Sequence, residues 1–165
     1  MKPSTRWVLA GLLALGAGAA SADVSVVYDH PEKFSDLPFA TWERDEVLGQ
    51  ITDHFRELGK ALPQGQDLRI EVTDFDPAGR LIPNARAGRD LRVMTGSADW
   101  PRMELRYAVE QNGQVIKSGE AKLADMNYQQ GSLFISDNEP LRYEKRMIDA
   151  WFEKTIAPLP KRRHR

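Results

Sequence analysis

Six arginines, Arg80, Arg86, Arg89, Arg92, Arg102 and Arg106, form the densest basic group in the body of this chain. A guanidinium stays charged and presents its donors as a planar fork, so this residue type suits a carboxylate or phosphate ligand. Asp90, Asp99 and Glu104 lie among the six. Interspersed charges of this kind also describe an ordinary solvated surface, so an anion site requires that the fold make the arginines converge. A second set, Asp29, His30, Asp74 and Asp76, combines carboxylates with an imidazole, a side chain able to serve as a general base. Those are the ingredients of a hydrolase or a metal-assisted enzyme, provided that two strand ends bring them together.

Other chemistries fail on spacing. Thr73-Asp74-Phe75-Asp76-Pro77-Ala78-Gly79 begins like a calcium loop, but Ala78 stands at its fifth position and Ala85 at its twelfth, where side-chain oxygens are needed. A turn in which an Asp side chain bonds its own backbone explains the residues better. His30, His54 and His164 fall in no zinc-binding spacing, and His54 reads as a hydrogen-bonded residue at the edge of a helix stripe. Beyond the leader, Ser25, Ser35, Ser97, Ser118, Ser132 and Ser136 lie in neither a G-x-S-x-G elbow nor an S-x-x-K pair. Gly79, Gly88 and Gly96 are too scattered to cradle a phosphate. The expectation is therefore no metal and no cofactor.

The address is easier to read. Lys2 and Arg6 precede an uncharged run from Trp7 to Ala20, and Ala20-Ser21-Ala22 then offers the small residues of a signal-peptidase site. Residues 1–22 read as a cleavable signal peptide. The run is too short and too rich in Gly and Ala for a resident membrane helix, so no transmembrane anchor is expected after cleavage. The sequence contains no Cys, which leaves no attachment point for a lipid and excludes disulfides and thiolate chemistry. A periplasmic protein held together by its core is the result.

Without Lys2 and Arg6 the 23 basic residues fall to 21 against 24 acidic ones, and four of those 21, Lys161, Arg162, Arg163 and Arg165, sit in the last five positions. Export removes nucleic acid as the target of this tail. Weak contact with the anionic envelope surface takes its place, beside the simpler role of a flexible solubilising end.

The elements that must position these residues follow from periodicity. Val24 to Tyr28 is a β-branched and aromatic strand that stops before Pro31. Val47, Leu48, Ile51, Phe55, Leu58 and Leu62 make one helical stripe, with Thr41 as the expected N-cap. Leu68, Ile70 and Val72 alternate with polar residues as in a strand with one wet face, and residues 80–90 look irregular before a short strand at Leu91 to Met94. Asn112-Gly113 joins two strands as a hairpin. A last helix runs from near Asn138 to about Thr155, with Trp151 on its apolar arc and Arg146, Asp149 and Glu153 pointing away. The predicted fold is α+β, a mainly antiparallel sheet of four to five strands with two helices packed on one face. It occupies residues 23–158 as a single domain, with a basic flexible tail at 159–165.

Val26-Val27-Tyr28, Pro31-Glu32-Lys33-Phe34-Ser35-Asp36, Thr73-Asp74-Phe75-Asp76 with Ala78-Gly79, and the closing helix around Trp151 together resemble a family of short exported bacterial proteins, domain of unknown function 3016. The resemblance implies no activity and carries no functional residues. Taken together, the sequence favours a non-enzymatic periplasmic binding or adaptor module, whose partner is a periplasmic protein or an anionic small molecule. The alternative is the hydrolase built on Asp29, His30, Asp74 and Asp76.

Overall fold

The computed structural model describes residues 22–84, 90–130 and 139–159. The leader, Arg86, Arg89, Asn138 and the basic tail at Lys161, Arg162, Arg163 and Arg165 lie outside the described residues.

The first strand, β1 (Val24–Tyr28), turns Val24, Val26 and Tyr28 toward the core and Ser25 and Val27 away. It pairs in parallel with β2 (Gln66–Asp76), from Val24 opposite Leu68 to Tyr28 opposite Val72. Parallel neighbours cannot be joined by a tight turn, and helix α1 (Thr41–Gly59) supplies the crossover. Its apolar stripe buries Leu48, Ile51, Phe55 and Leu58. The N-cap is Ala40, not Thr41, and no side chain caps the first turn. Tyr28 ties strand to helix. Its hydroxyl donates to the Leu48 carbonyl at 2.9 Å and lies 3.0 Å from the Thr52 hydroxyl, and burial pushes the phenol up to about 12.

Strand β2 next meets β5 (Arg102–Gln111) antiparallel, with a register shift between Val72 and Asp74. The extra residue in this bulge changes which parity faces inward, so Leu68, Ile70 and Val72 are followed into the core by Phe75. Strand β5 turns back into β6 (Gln114–Ala124) at Asn112 and Gly113, whose φ values of 51° and 79° are those of a type I′ turn. The sheet order is β1-β2-β5-β6. Helix α2 (Arg142–Thr155) starts after Leu141, at φ 56°, and buries Tyr143, Glu144, Met147, Ile148, Trp151 and Phe152.

Both helices cover one face of the sheet, where side chains of α1, α2 and all four strands share a single core. His54 of α1 and Asp149 of α2 are joined there at 2.7 Å, so the boundary histidine is hydrogen-bonded as its position suggested. The other face is a wet ladder of charge: Glu71, Arg106 and Glu120 stand in register across three strands, and Arg106 bonds both carboxylates at 3.2 Å.

The expected α+β architecture is present. To it is added a two-stranded ribbon of β3 (Arg80–Ile82) and β4 (Leu91–Val93), which places a strand where residues 80–90 read as irregular. Three residues are too few to show a period, and their partner is supplied from ten residues away. Among the described residues no helix is long and apolar enough to cross a membrane.

Candidate functional site

The end of β2 and the start of β5 are neighbours in register, Asp76 opposite Arg102, and the ribbon folds back over this corner. A cleft of about 320 Å³ opens there, lined by Ser35, Asp36, Asp76, Gly79, Arg80, Ala98, Asp99 and Arg102. Three carboxylates and two arginines in one cleft set its character. Each acid is spoken for.

Asp36 accepts the Leu81 amide at 3.2 Å and Arg92 Nη1 at 3.0 Å, while its carbonyl takes Arg92 Nη2 at 2.6 Å. Arg92 also reaches the Ala78 carbonyl at 3.3 Å, so it staples the ribbon to two loops beneath the cleft. Asp76 is paired with Arg102 through Nε at 3.1 Å and through Nη2. Asp99, 6% exposed, accepts the Thr95 amide at 2.6 Å, the Thr95 hydroxyl at 2.8 Å and the Tyr128 hydroxyl at 2.9 Å. Burial raises its pKa, but these donors outweigh burial and hold the carboxyl down at about 2.

Behind the cleft lies a small second core of Ala78, Tyr128 and Tyr143, against which Trp100 packs. The two tyrosine rings meet edge to face at 4.8 Å. Glu144, on the inner side of α2, accepts the Ala78 amide at 2.7 Å and so fixes the turn that carries Gly79 and Arg80. Burial raises its pKa against the pull of that amide and of Arg92. Ionising Glu144 therefore works against the fold as pH rises, in the direction opposite to Asp99. Arg146, expected to face solvent, instead donates to Asp125 and to the Tyr128 carbonyl, both at 2.6 Å, and ties down the loop after β6.

Gly79 shapes the mouth. Its φ is 85°, and a Cβ built on it would lie 2.6 Å from the Val93 carbonyl oxygen. Neither the backbone angle nor the distance accommodates a side chain. Gly79→Ala should destabilise the domain by about 2 kcal/mol, from the left-handed strain and the displaced ribbon together. Denaturant midpoints of the two proteins measure this, and a difference below about 0.5 kcal/mol would show that the ribbon yields freely.

The four described arginines of the six do not share one place. Arg80 and Arg102 line the cleft and Arg92 lies beneath it. Arg106 sits four residues further along β5, about 13 Å away at strand rise, held in the ladder of the open face. Asp29, His30, Asp74 and Asp76 each have contacts of their own. His30 bonds Glu32 at 3.1 Å and lies 3.7 Å from Asp29, Asp74 accepts the Phe75 and Ser35 amides, and Asp76 alone of the four lines the cleft. Among the described residues no group of three or more His, Asp or Glu side chains could hold a metal ion.

The model of a family described as "protein of unknown function (DUF3016)" matches residues 22–154. This chain belongs to that family. The matched span takes in every strand, the cleft and nearly all of α2, so the membership rests on the whole folded unit. No curated protein and no solved structure matches the chain. Within the DUF3016 domain, Asp36, Asp99, Tyr128 and Glu144 are site residues that periodicity did not reveal. Thr95-Gly96-Ser97-Ala98-Asp99 carried one usable signal, since Ser, Thr and Asp around a glycine favour side-chain bonds to local backbone.

Proposed function

We propose that this DUF3016 domain is a non-enzymatic periplasmic binding or adaptor module, and that the cleft at the ribbon receives a ligand carrying a single negative charge. One observation carries the reading: Arg80 projects at the cleft with no side-chain partner among the described residues. Arg92, Arg102 and Arg106 are each neutralised by carboxylates. An exposed guanidinium beside satisfied neighbours is a donor fork ready for a carboxylate. The carboxylate of Asp99, held by neutral donors rather than by a cation, repels a second negative charge, which favours a monoanion over a polyphosphate.

The periplasmic address rests on the charged start, the apolar run and Ala20-Ser21-Ala22, with no Cys for lipidation. In that compartment the tail at Lys161, Arg162, Arg163 and Arg165 adds a weak contact with anionic headgroups, ~1 kcal/mol per basic residue.

Calorimetric titration of the chain from Asp23 onward with the monoanions acetate, lactate and N-acetylglycinate tests the cleft. At least one should bind at millimolar affinity or better, and Arg80→Ala should weaken it by about tenfold, the worth of roughly one charge-assisted bond. Equal binding by Arg80→Ala would sink the assignment of this cleft.

A further inference from the structure

A second concavity, on the other side of the 31–39 connection, has different chemistry. Pro31, Phe34, Leu37, Pro38 and Phe39 supply apolar walls to a pocket of about 350 Å³, and Glu32, Thr41 and Arg44 complete its lining. That volume is in the range of small-molecule sites. Phe34 is buried at 8% exposure, whereas Phe39 is 97% exposed and Trp42, one helical turn on, is 67% exposed. Phe39 thus stands uncovered at the rim.

Arg44 is the unusual member. Its Nε is buried and has no hydrogen-bond partner, and its guanidinium forms no ion pair among the described residues. A buried donor left unsatisfied is costly, and on a permanently charged group the cost is larger. The α1 helix offers no remedy, because it begins without a side-chain cap and its first amides add positive potential at the same end. The Nε is covered by protein, but the two terminal Nη groups of this unpaired guanidinium can meet a carboxylate in the pocket with two parallel bonds.

We propose that this pocket binds a small apolar molecule ending in a carboxylate, the carboxylate on Arg44 and the apolar body among Phe34, Leu37, Pro38 and Phe39. Glu32 sets the charge limit. Its carboxyl is held below the usual range, chiefly by its own backbone amide, so it is ionised at neutral pH and disfavours a second anionic group in the ligand. The same carboxylate favours an ammonium, so an apolar amino acid and its deaminated acid are the two sources of the shared chemistry. The proposal does not depend on the Arg80 cleft, which shares no lining residue with this pocket.

The test titrates the chain from Asp23 onward with 3-phenylpropanoate, L-phenylalanine and L-phenylalaninamide. The expected result is binding of at least one carboxylate and at least tenfold weaker binding of the amide. Tighter binding of L-phenylalanine than of 3-phenylpropanoate identifies the amino acid as the source, and the reverse order identifies the free acid. Arg44→Gln and Arg44→Lys should each weaken the preferred carboxylate at least tenfold, because lysine keeps the charge and loses the fork. Thermal melts confirm that the variants are folded, and Arg80→Ala should leave this binding unchanged. No binding of either carboxylate at 10 mM ligand (about 1 mM being already weak), equal binding of the amide, or undiminished binding by folded Arg44→Gln would each overturn the proposal.

Discussion

Replacing Trp151 by alanine should remove about 4 kcal/mol of stability, a quarter or more of what a domain of this size possesses. The indole, 9% exposed, is met edge to face by Phe55 at 6.3 Å, Tyr107 at 5.5 Å and Phe152 at 6.4 Å, so one side chain joins both helices to β5. Truncation forfeits the transfer energy of the ring and leaves a cavity among rigid aromatic neighbours that cannot close over it. Trp151→Phe should cost less than half as much. The indole Nε1 is buried without a hydrogen-bond partner among the described residues, so phenylalanine deletes an unsatisfied donor along with part of the ring. Chemical denaturation of both variants decides the matter. Equal losses from Ala and Phe would mean that the indole N–H has a partner, a bridging water for example, and that its bond matters as much as the ring.

Asp99→Ala should follow closely, at about 3 kcal/mol, because it leaves the buried Tyr128 hydroxyl without its acceptor and removes both bonds that hold exposed Thr95. The loss has a pH signature. With the folded carboxyl at about 2, against 3.8 for an ordinary aspartate, the contribution of Asp99 is fully present above pH 4 and fades as the pH falls toward 2. The variant should therefore lose more stability at neutral pH than at pH 2, and the two acid-denaturation curves should converge at the acid end. Parallel curves down to pH 2 would show that the carboxylate charge contributes nothing and that only packing was lost.

Much of the framework could be read from the chain because its signals are local. The α1 stripe, the alternation of β2 and the Asn112-Gly113 turn each sit within one window of sequence and each appears in the fold. Thr41 shows the limit of such reading. As a good capping residue it drew the helix boundary, yet the chain enters α1 one residue earlier, at Ala40. The cleft was hidden for a different reason. Asp36, Asp76 and the pair Asp99 and Arg102 come from three separated segments, and only the β2–β5 register and the ribbon bring them together. Periodicity carries no information about such meetings. Glu144 illustrates this best: in a helical pattern it reads as surface, and only the second small core explains why a carboxylate points inward. Conversely, the grouping of arginines in sequence promised one patch. The alternation of β5 does keep Arg102 and Arg106 on one face, but separates them by four residues of extended chain.

The parallel pairing of β1 has a consequence for the order of events in folding. Val24 must find Leu68, so the strand can dock only after more than forty further residues have been made available and α1 has folded back along the sheet. Closing a loop of that length costs about 3 kcal/mol of chain entropy before any contact is gained. The hairpin of β5 and β6, closed by a two-residue turn, faces no such delay and is the natural nucleus. Strand β1 is then a late clasp on the sheet edge.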